Sequence, residues 1–153
     1  GAAVEWRGEK LCVARSKLRG AEIDVSQTPD LFPALSVLAA CAEGETRLTG
    51  AARLRIKESD RLAAMAAELA ALGAEVREGE DSLTITGGGK LRGGAVSAHN
   101  DHRVAMSLAV AASACVGETT IDDAECVKKS APDFWKEYRA MGGSFMIDKE
   151  GRQ

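Results

Sequence analysis

Aromatic side chains make up only 4% of this 153-residue sequence, which also holds just two histidines and three prolines. So few rings leave no platform for stacking successive bases, and a net charge of −3 gives no field to gather a polyanion. Nucleic-acid binding is therefore not expected, nor is attraction to an anionic membrane surface. No apolar run reaches bilayer length, and the reading expects neither a membrane span nor a signal peptide. Cys12, Cys41, Cys115 and Cys126 lie far apart without a CxxC pair, so no zinc site and no dithiol redox motif is expected. Cys41 and Cys115 fall in apolar helical runs and read as core thiols, the cysteine usage of a reducing cytoplasm. An initiating Met is also missing. Gly1 opens directly on strand-like residues, so the sequence reads as a piece of something longer.

What is present is a hydrophobic content of 45%, enough to bury a genuine core, and a repeat. Gly44-Glu45-Thr46 returns as Gly117-Glu118-Thr119, an offset of 73 residues, and at that offset Lys17-Leu18-Arg19-Gly20 matches Lys90-Leu91-Arg92-Gly93. Gly1-Ala2-Ala3-Val4 in turn looks like Gly73-Ala74-Glu75-Val76. Low-complexity Ala/Gly composition does not easily produce an identical Lys-Leu-Arg-Gly and an identical Gly-Glu-Thr in one register. The reading is two near-complete copies of one supersecondary unit, residues 21–90 and 91–153, preceded over 1–25 by the tail of a cut copy and a leading strand.

Each copy decodes in the same way. Short strands over 21–25 and 94–98 lead into helices over 30–42 and 102–115, the first with Thr28 as its cap. Gly44 and Gly117 stop these helices, and strands follow over 46–49 and 119–122. A second helix spans 59–72, with Leu62, Met65, Leu69 and Leu72 as its apolar stripe, and its counterpart spans 132–141. Strands 75–77 and 82–86 close the first unit. The pattern β-α-β-α-β-β makes an α/β (α+β) fold with helices buried against sheets.

The copies diverge in charge at two strand-to-helix junctions, the end at which α/β units present ligand sites. Asp30 of the first stands where Arg103 stands in the second, and Arg55-Ile56-Lys57-Glu58 faces Lys128-Lys129-Ser130-Ala131. Lys57, Arg61, Arg103 and Lys129 are then cations for a phosphate- and carboxylate-bearing substrate, with Asp30 and Glu58 as proton-transfer groups among them. A solvated ladder through Arg55, Glu58 and Arg61 is the bland alternative for that segment. His102 reads as structural, donating to a backbone carbonyl at a helix start, ahead of a direct catalytic role. His99 reads as a strand surface residue, Asp60 and Asp101 as first-turn carboxylates that complement helix dipoles, and Gly87-Gly88-Gly89 as a flexible strand connection.

Three segments carry a resemblance: Arg55-Ile56-Lys57-Glu58-Ser59-Asp60-Arg61, Asn100-Asp101-His102-Arg103-Val104-Ala105-Met106, and Lys129-Ser130-Ala131-Pro132-Asp133. With Pro29-Asp30 and Pro33-Ala34-Leu35, they resemble in order and spacing the 5-enolpyruvylshikimate-3-phosphate synthase family. The resemblance covers essentially the whole chain and implies part of one lobe of a two-lobed enolpyruvyl transferase fold, each lobe holding three such units. It implies transfer of enolpyruvyl from phosphoenolpyruvate to the 5-hydroxyl of shikimate 3-phosphate, on the way to chorismate, with no metal and no organic cofactor. Asp30 would then accept the hydroxyl proton and contact shikimate 3-phosphate, and Glu58 would serve the methylene carbon. Arg61, Arg103 and Lys129 would bind phosphoenolpyruvate, Lys57 would bind shikimate 3-phosphate, and His102 would line the site.

Arg53 departs from the pattern, standing where an Asn or acidic residue is expected near shikimate 3-phosphate. The partner this reading requires is the N-terminal lobe, which in the family supplies further charged groups. Without it the chain is expected to be inactive and to self-associate through uncovered apolar surface. Two alternatives stand beside this reading. One is the sister transferase acting on UDP-N-acetylglucosamine, which the Lys57–Arg61 and Asn100–Arg103 signatures fit poorly. The other is a non-catalytic module of the same architecture.

Overall fold

The computed structural model describes residues 1–147, so the last six positions of the expected second unit lie outside the described residues. Strands β1 (Ala3–Arg7) and β2 (Lys10–Ala14) pair antiparallel, with Val4 opposite Val13 and Trp6 opposite Leu11. Alternation along each strand puts these four apolar residues on one face. All four are more than half exposed.

The main sheet comes from β3 (Glu22–Asp24), β4 (Gly44–Thr49), β5 (Glu75–Glu78) and β6 (Leu83–Gly87), in the order β3-β4-β6-β5. β3 and β4 are parallel, joined through α1 (Phe32–Cys41), while β6 runs antiparallel to both its neighbours. A second parallel pair, β7 (Ala95–Ser97) and β8 (Thr120–Asp122), is joined through α3 (His102–Ala114). Helix α2 (Arg61–Ala71) links β4 to β5, and α4 (Phe134–Ala140) closes the described chain. Leu62, Met65, Leu69 and Leu72 are fully buried together with Leu48, Leu83 and Ile85 from the sheet and Val104 and Leu108 from α3.

The 73-residue offset is written into the hydrogen bonds. The amides of Gly20 and Gly93 donate to the carbonyls of Glu43 and Val116, those of Arg47 and Thr120 to Ala21 and Gly94, and those of Val25 and Ala98 to Thr49 and Asp122. The shared Lys-Leu-Arg-Gly has a steric cause. A Cβ on Gly20 would lie 2.0 Å from the carbonyl oxygen of Glu45, and one on Gly93 2.0 Å from that of Glu118. Each glycine lets the leading segment pass directly over the Gly-Glu-Thr of its own unit.

Several local expectations change. The first helix starts later, at Phe32, behind a 3₁₀ turn Pro29–Leu31, and Thr28 makes no side-chain capping bond. Pro33 has no N–H to offer a longer α-helical start, and the 3₁₀ turn takes that place. Helix α2 starts at Arg61 because Asp60 caps it, its Oδ1 accepting from the Ala63 amide at 3.0 Å. Cys41 is exposed at the end of α1 on the same side as exposed Leu38, while Cys126 is the buried thiol. Burial pushes the Cys115 and Cys126 thiols up, so neither is a poised nucleophile. Gly87 is a packing position and not a mere tether, since a Cβ there would meet the carbonyl of Ala42 at 2.1 Å.

Candidate active site

Three strand-to-helix junctions converge on the Arg61 guanidinium. Asp30 comes from the 3₁₀ turn ahead of α1, Glu58 from the loop between the 3₁₀ turn Ala52–Ile56 and α2, and Asp101 from the start of α3. Arg61 is the first residue of α2 and its side chain is 0% exposed. Its Nε donates to Asp101 Oδ2 at 2.9 Å, its Nη1 to Asp30 Oδ1 at 3.0 Å, and its Nη2 to Glu58 Oε2 at 2.5 Å. A planar guanidinium presents donors in a fixed fork, so three carboxylates held by one Arg are fixed relative to each other. Asp30 carries a second cation: Arg103 Nη2 lies 2.9 Å from its Oδ2.

Asp101 is the member that a sequence reading as a dipole-complementing carboxylate undervalues. Its side chain is fully buried; it also caps α3 by accepting from the Arg103 amide at 2.9 Å and accepts from the Ser59 hydroxyl at 3.2 Å. Burial alone would push its carboxyl up. The hydrogen bonds and charge of Arg61, with the Arg103 amide and Ser59, outweigh burial and hold it below its ordinary value. The sequence signal was its place directly after the Asn100 of the Asn-Asp-His-Arg segment and at a helix cap, which gives no hint of a buried ion pair.

Lys129, at the end of the 3₁₀ turn Ala124–Lys129, joins the same edge by donating to Asn100 O at 2.8 Å and Asn100 Oδ1 at 2.9 Å. Lys57 and Arg53 are exposed and make no side-chain hydrogen bond or ion pair among the described residues. His102 is buried at the first position of α3, but its Nδ1 has no hydrogen-bond partner among the described residues, so the expected bond to a carbonyl is not formed. At the first turn of a helix the nearby free backbone groups are N–H donors, which a neutral ring cannot address with its own N–H. His99 is not a strand residue: it lies in the turn after β7, with φ of 51°. Nor is there an Arg55–Glu58–Arg61 ladder. Arg55 turns to the β5–β6 connection, bonding Glu78, Gly79 O and Glu80 O as well as Asp60. Among the described residues no group of three or more His, Cys, Asp or Glu is placed to hold a metal ion. No helix there is long and apolar enough to cross a membrane.

Repeated α/β units that aim carboxylates and guanidinium groups at one edge define a class, the enolpyruvyl transferase fold. The enolpyruvyl transferase NikO from Streptomyces tendae shares it with a TM-score of 0.76 at 24% identity, covering 94% of this chain and 33% of that one. The family is narrower: the model of EPSP synthase (3-phosphoshikimate 1-carboxyvinyltransferase) matches residues 1–138, and the chain belongs to that family. It is 57% identical over 129 residues to a 3-phosphoshikimate 1-carboxyvinyltransferase of Clostridium acetobutylicum, covering 84% of this chain and 30% of that protein. A 3-phosphoshikimate 1-carboxyvinyltransferase of Methanocella arvoryzae is 48% identical over 149 residues, covering 96% and 35%. The EPSP synthase of Acinetobacter baumannii superposes with a TM-score of 0.81 at 39% identity, covering 87% and 32%. The chain thus spans about a third of the length of the curated relatives it matches.

Proposed function

We propose that this chain supplies one side of the site at which enolpyruvyl moves from phosphoenolpyruvate to the 5-hydroxyl of shikimate 3-phosphate, with release of phosphate. The observation that carries the reading is Asp30 bridging Arg61 and Arg103 while Glu58 shares the Arg61 guanidinium, in a chain of the EPSP synthase family. Asp30 accepts the proton of the attacking hydroxyl as the C–O bond forms at the substituted carbon of phosphoenolpyruvate. Glu58 delivers a proton to the methylene carbon and takes one back as phosphate leaves. Arg61 orients the two carboxylates for these opposite tasks, which is where much of the advantage of such a site lies. Arg103 and Lys129 bind the anionic groups of phosphoenolpyruvate, Lys57 reaches shikimate 3-phosphate, and His102 lines the cavity.

The same reading places residues 21–90 and 91–153 as two units of one lobe, with the rest of the two-lobed enzyme as the partner that closes the cleft. Its setting is the cytoplasm, in keeping with four free thiols. The test is phosphate release with both substrates after the chain is combined with the remaining portion, about two thirds, of the Clostridium acetobutylicum relative. Turnover that needs both substrates and the added portion is expected, with none from this chain alone. Turnover with UDP-N-acetylglucosamine in place of shikimate 3-phosphate would sink the reading.

A further inference from the structure

Arg61 and Glu68 are the two charged residues of α2, and both are buried. Seven positions apart, they stand on one face of the helix about two turns from each other. Both reach the segment between β7 and α3. Arg61 holds its end, through Asp101. Glu68 holds its beginning: Oε2 accepts from the Ser97 amide at 3.1 Å, and Oε1 lies 2.7 Å from Nε2 of His99.

Between these anchors runs a tight turn, closed by the Asp101 amide donating to Ala98 O at 2.9 Å. Its two central residues, His99 and Asn100, are both left-handed, with φ of 51° and 55°. Residues with a Cβ avoid this region, and two in succession persist only where their surroundings fix them. The equivalent turn of the first unit is closed by the same bond, Thr28 to Val25, yet neither Ser26 nor Gln27 is left-handed. The difference has a visible result. In the second unit the Asn100 carbonyl and side-chain oxygen both meet the Lys129 ammonium, and the next residue delivers its carboxylate to Arg61.

A carboxylate facing the core side of an Ala/Leu helix is costly unless every bond it needs is made. Glu68 makes its bonds to the turn alone among the described residues. We infer that Glu68 is a positioning residue of the proposed site: through His99 and the Ser97 amide it fixes the left-handed turn that sets Asn100 against Lys129 and Asp101 against Arg61. The choice of phosphoenolpyruvate as probe rests on the functional reading above; the assignment to the turn does not.

The test uses NMR of the full chain and two pairs of variants. Left-handed residues give strong contacts between their own Hα and amide protons, so His99 and Asn100 report the turn directly. In Glu68→Ala these contacts should disappear, and the phosphoenolpyruvate concentration that half-shifts the Arg103 and Lys129 amides should rise on the order of ten- to a hundredfold. Glu68→Gln keeps an acceptor for the Ser97 amide and a donor for a neutral imidazole, and should stay close to the parent. The exposed His99 allows a second pair that does not depend on a buried position. His99→Ala should lose the turn contacts, whereas His99→Gln, whose amide can still donate to Glu68, should recover them. A parent spectrum unmoved by phosphoenolpyruvate would count against the functional reading and leave the turn contacts to decide the role of Glu68. Turn contacts that survive in both Glu68→Ala and His99→Ala overturn it.

Discussion

Asp30 and Arg103 occupy the same place in two copies of one unit and meet at 2.9 Å. Divergence of charge at a duplicated position has thus made a contact between the copies. The guanidinium of Arg61 is occupied in the same way, by three carboxylates. An incoming anion must exchange partners with these groups, so its affinity reflects a difference between two sets of ion pairs.

That exchange gives the first prediction. Asp30→Ala should tighten binding of inorganic phosphate or phosphoenolpyruvate to the chain by roughly tenfold, about 1.4 kcal/mol, even though it removes a proposed catalytic group. Titration followed by NMR or calorimetry checks this. Weaker anion binding by the variant would mean that Asp30 does not compete for these arginines.

Asp101→Asn should destabilise the chain far more than Glu58→Gln. Asp101 and Arg61 are both fully buried, and removing one partner of such a pair costs about 3–5 kcal/mol. The Glu58 side chain is 43% exposed, and an ion pair open to solvent on one side is worth ~1 kcal/mol or less. Urea unfolding of both variants reads the difference, and equal midpoints would contradict it.

The Asp101 pair also sets an acid limit. Its carboxyl is held below its ordinary value in the folded chain, so the folded state binds its proton less readily than the unfolded state does. The stability it contributes is complete above the unfolded carboxylate pKa and is lost as pH falls through the lower, folded one. The urea midpoint of the parent should therefore fall in acid by an amount that shrinks in Asp101→Asn. A pH profile identical in parent and variant would show that this group does not contribute.

Glu58→Gln keeps the shape of the site and removes a proton carrier. In the enzyme completed with the remaining portion of a relative, turnover should drop by ~10²–10⁴ with the fold intact. Near-parental phosphate release would reassign the proton transfer to another group.

The hairpin predicts association. Val4, Trp6, Leu11 and Val13 form one uncovered face on an isolated two-stranded sheet, a structure of marginal stability by itself. Light scattering across a concentration series should show self-association of the chain, reduced in Trp6→Ser/Val13→Ser. A monomer at all concentrations would mean that the hairpin covers this face by another route.

The periodic parts of this molecule were readable from the sequence. The 73-residue offset, the order of strands and helices, and the α2 stripe each follow from spacing, because one side of each element must meet the core. Asp30, Glu58, Arg61 and Arg103 could be gathered from the sequence as a set, largely by comparing the copies where their charge differs; Asp101 was left outside it. Their partners could not. Nothing in the spacing says that Arg61 is enclosed by carboxylates, that Asp101 is buried, or that Glu68 turns inward to His99, since these depend on how one unit lies against the next. Caps and turns were the weakest ground: Thr28, His99 and His102 each had an ordinary local role to hand, yet a 3₁₀ turn displaced the first, Glu68 drew the second into a turn, and the third makes no bond to a carbonyl.

Gly20 and Gly93 carry one more consequence. Because each lies under the carbonyl of the Gly-Glu-Thr in its own unit, neither can take a side chain, whatever happens to the chemistry around Arg61. Intolerance to substitution should therefore recur along the chain at the spacing of the duplication, set by packing at Gly20 and Gly93 and independent of the charges that distinguish the two copies.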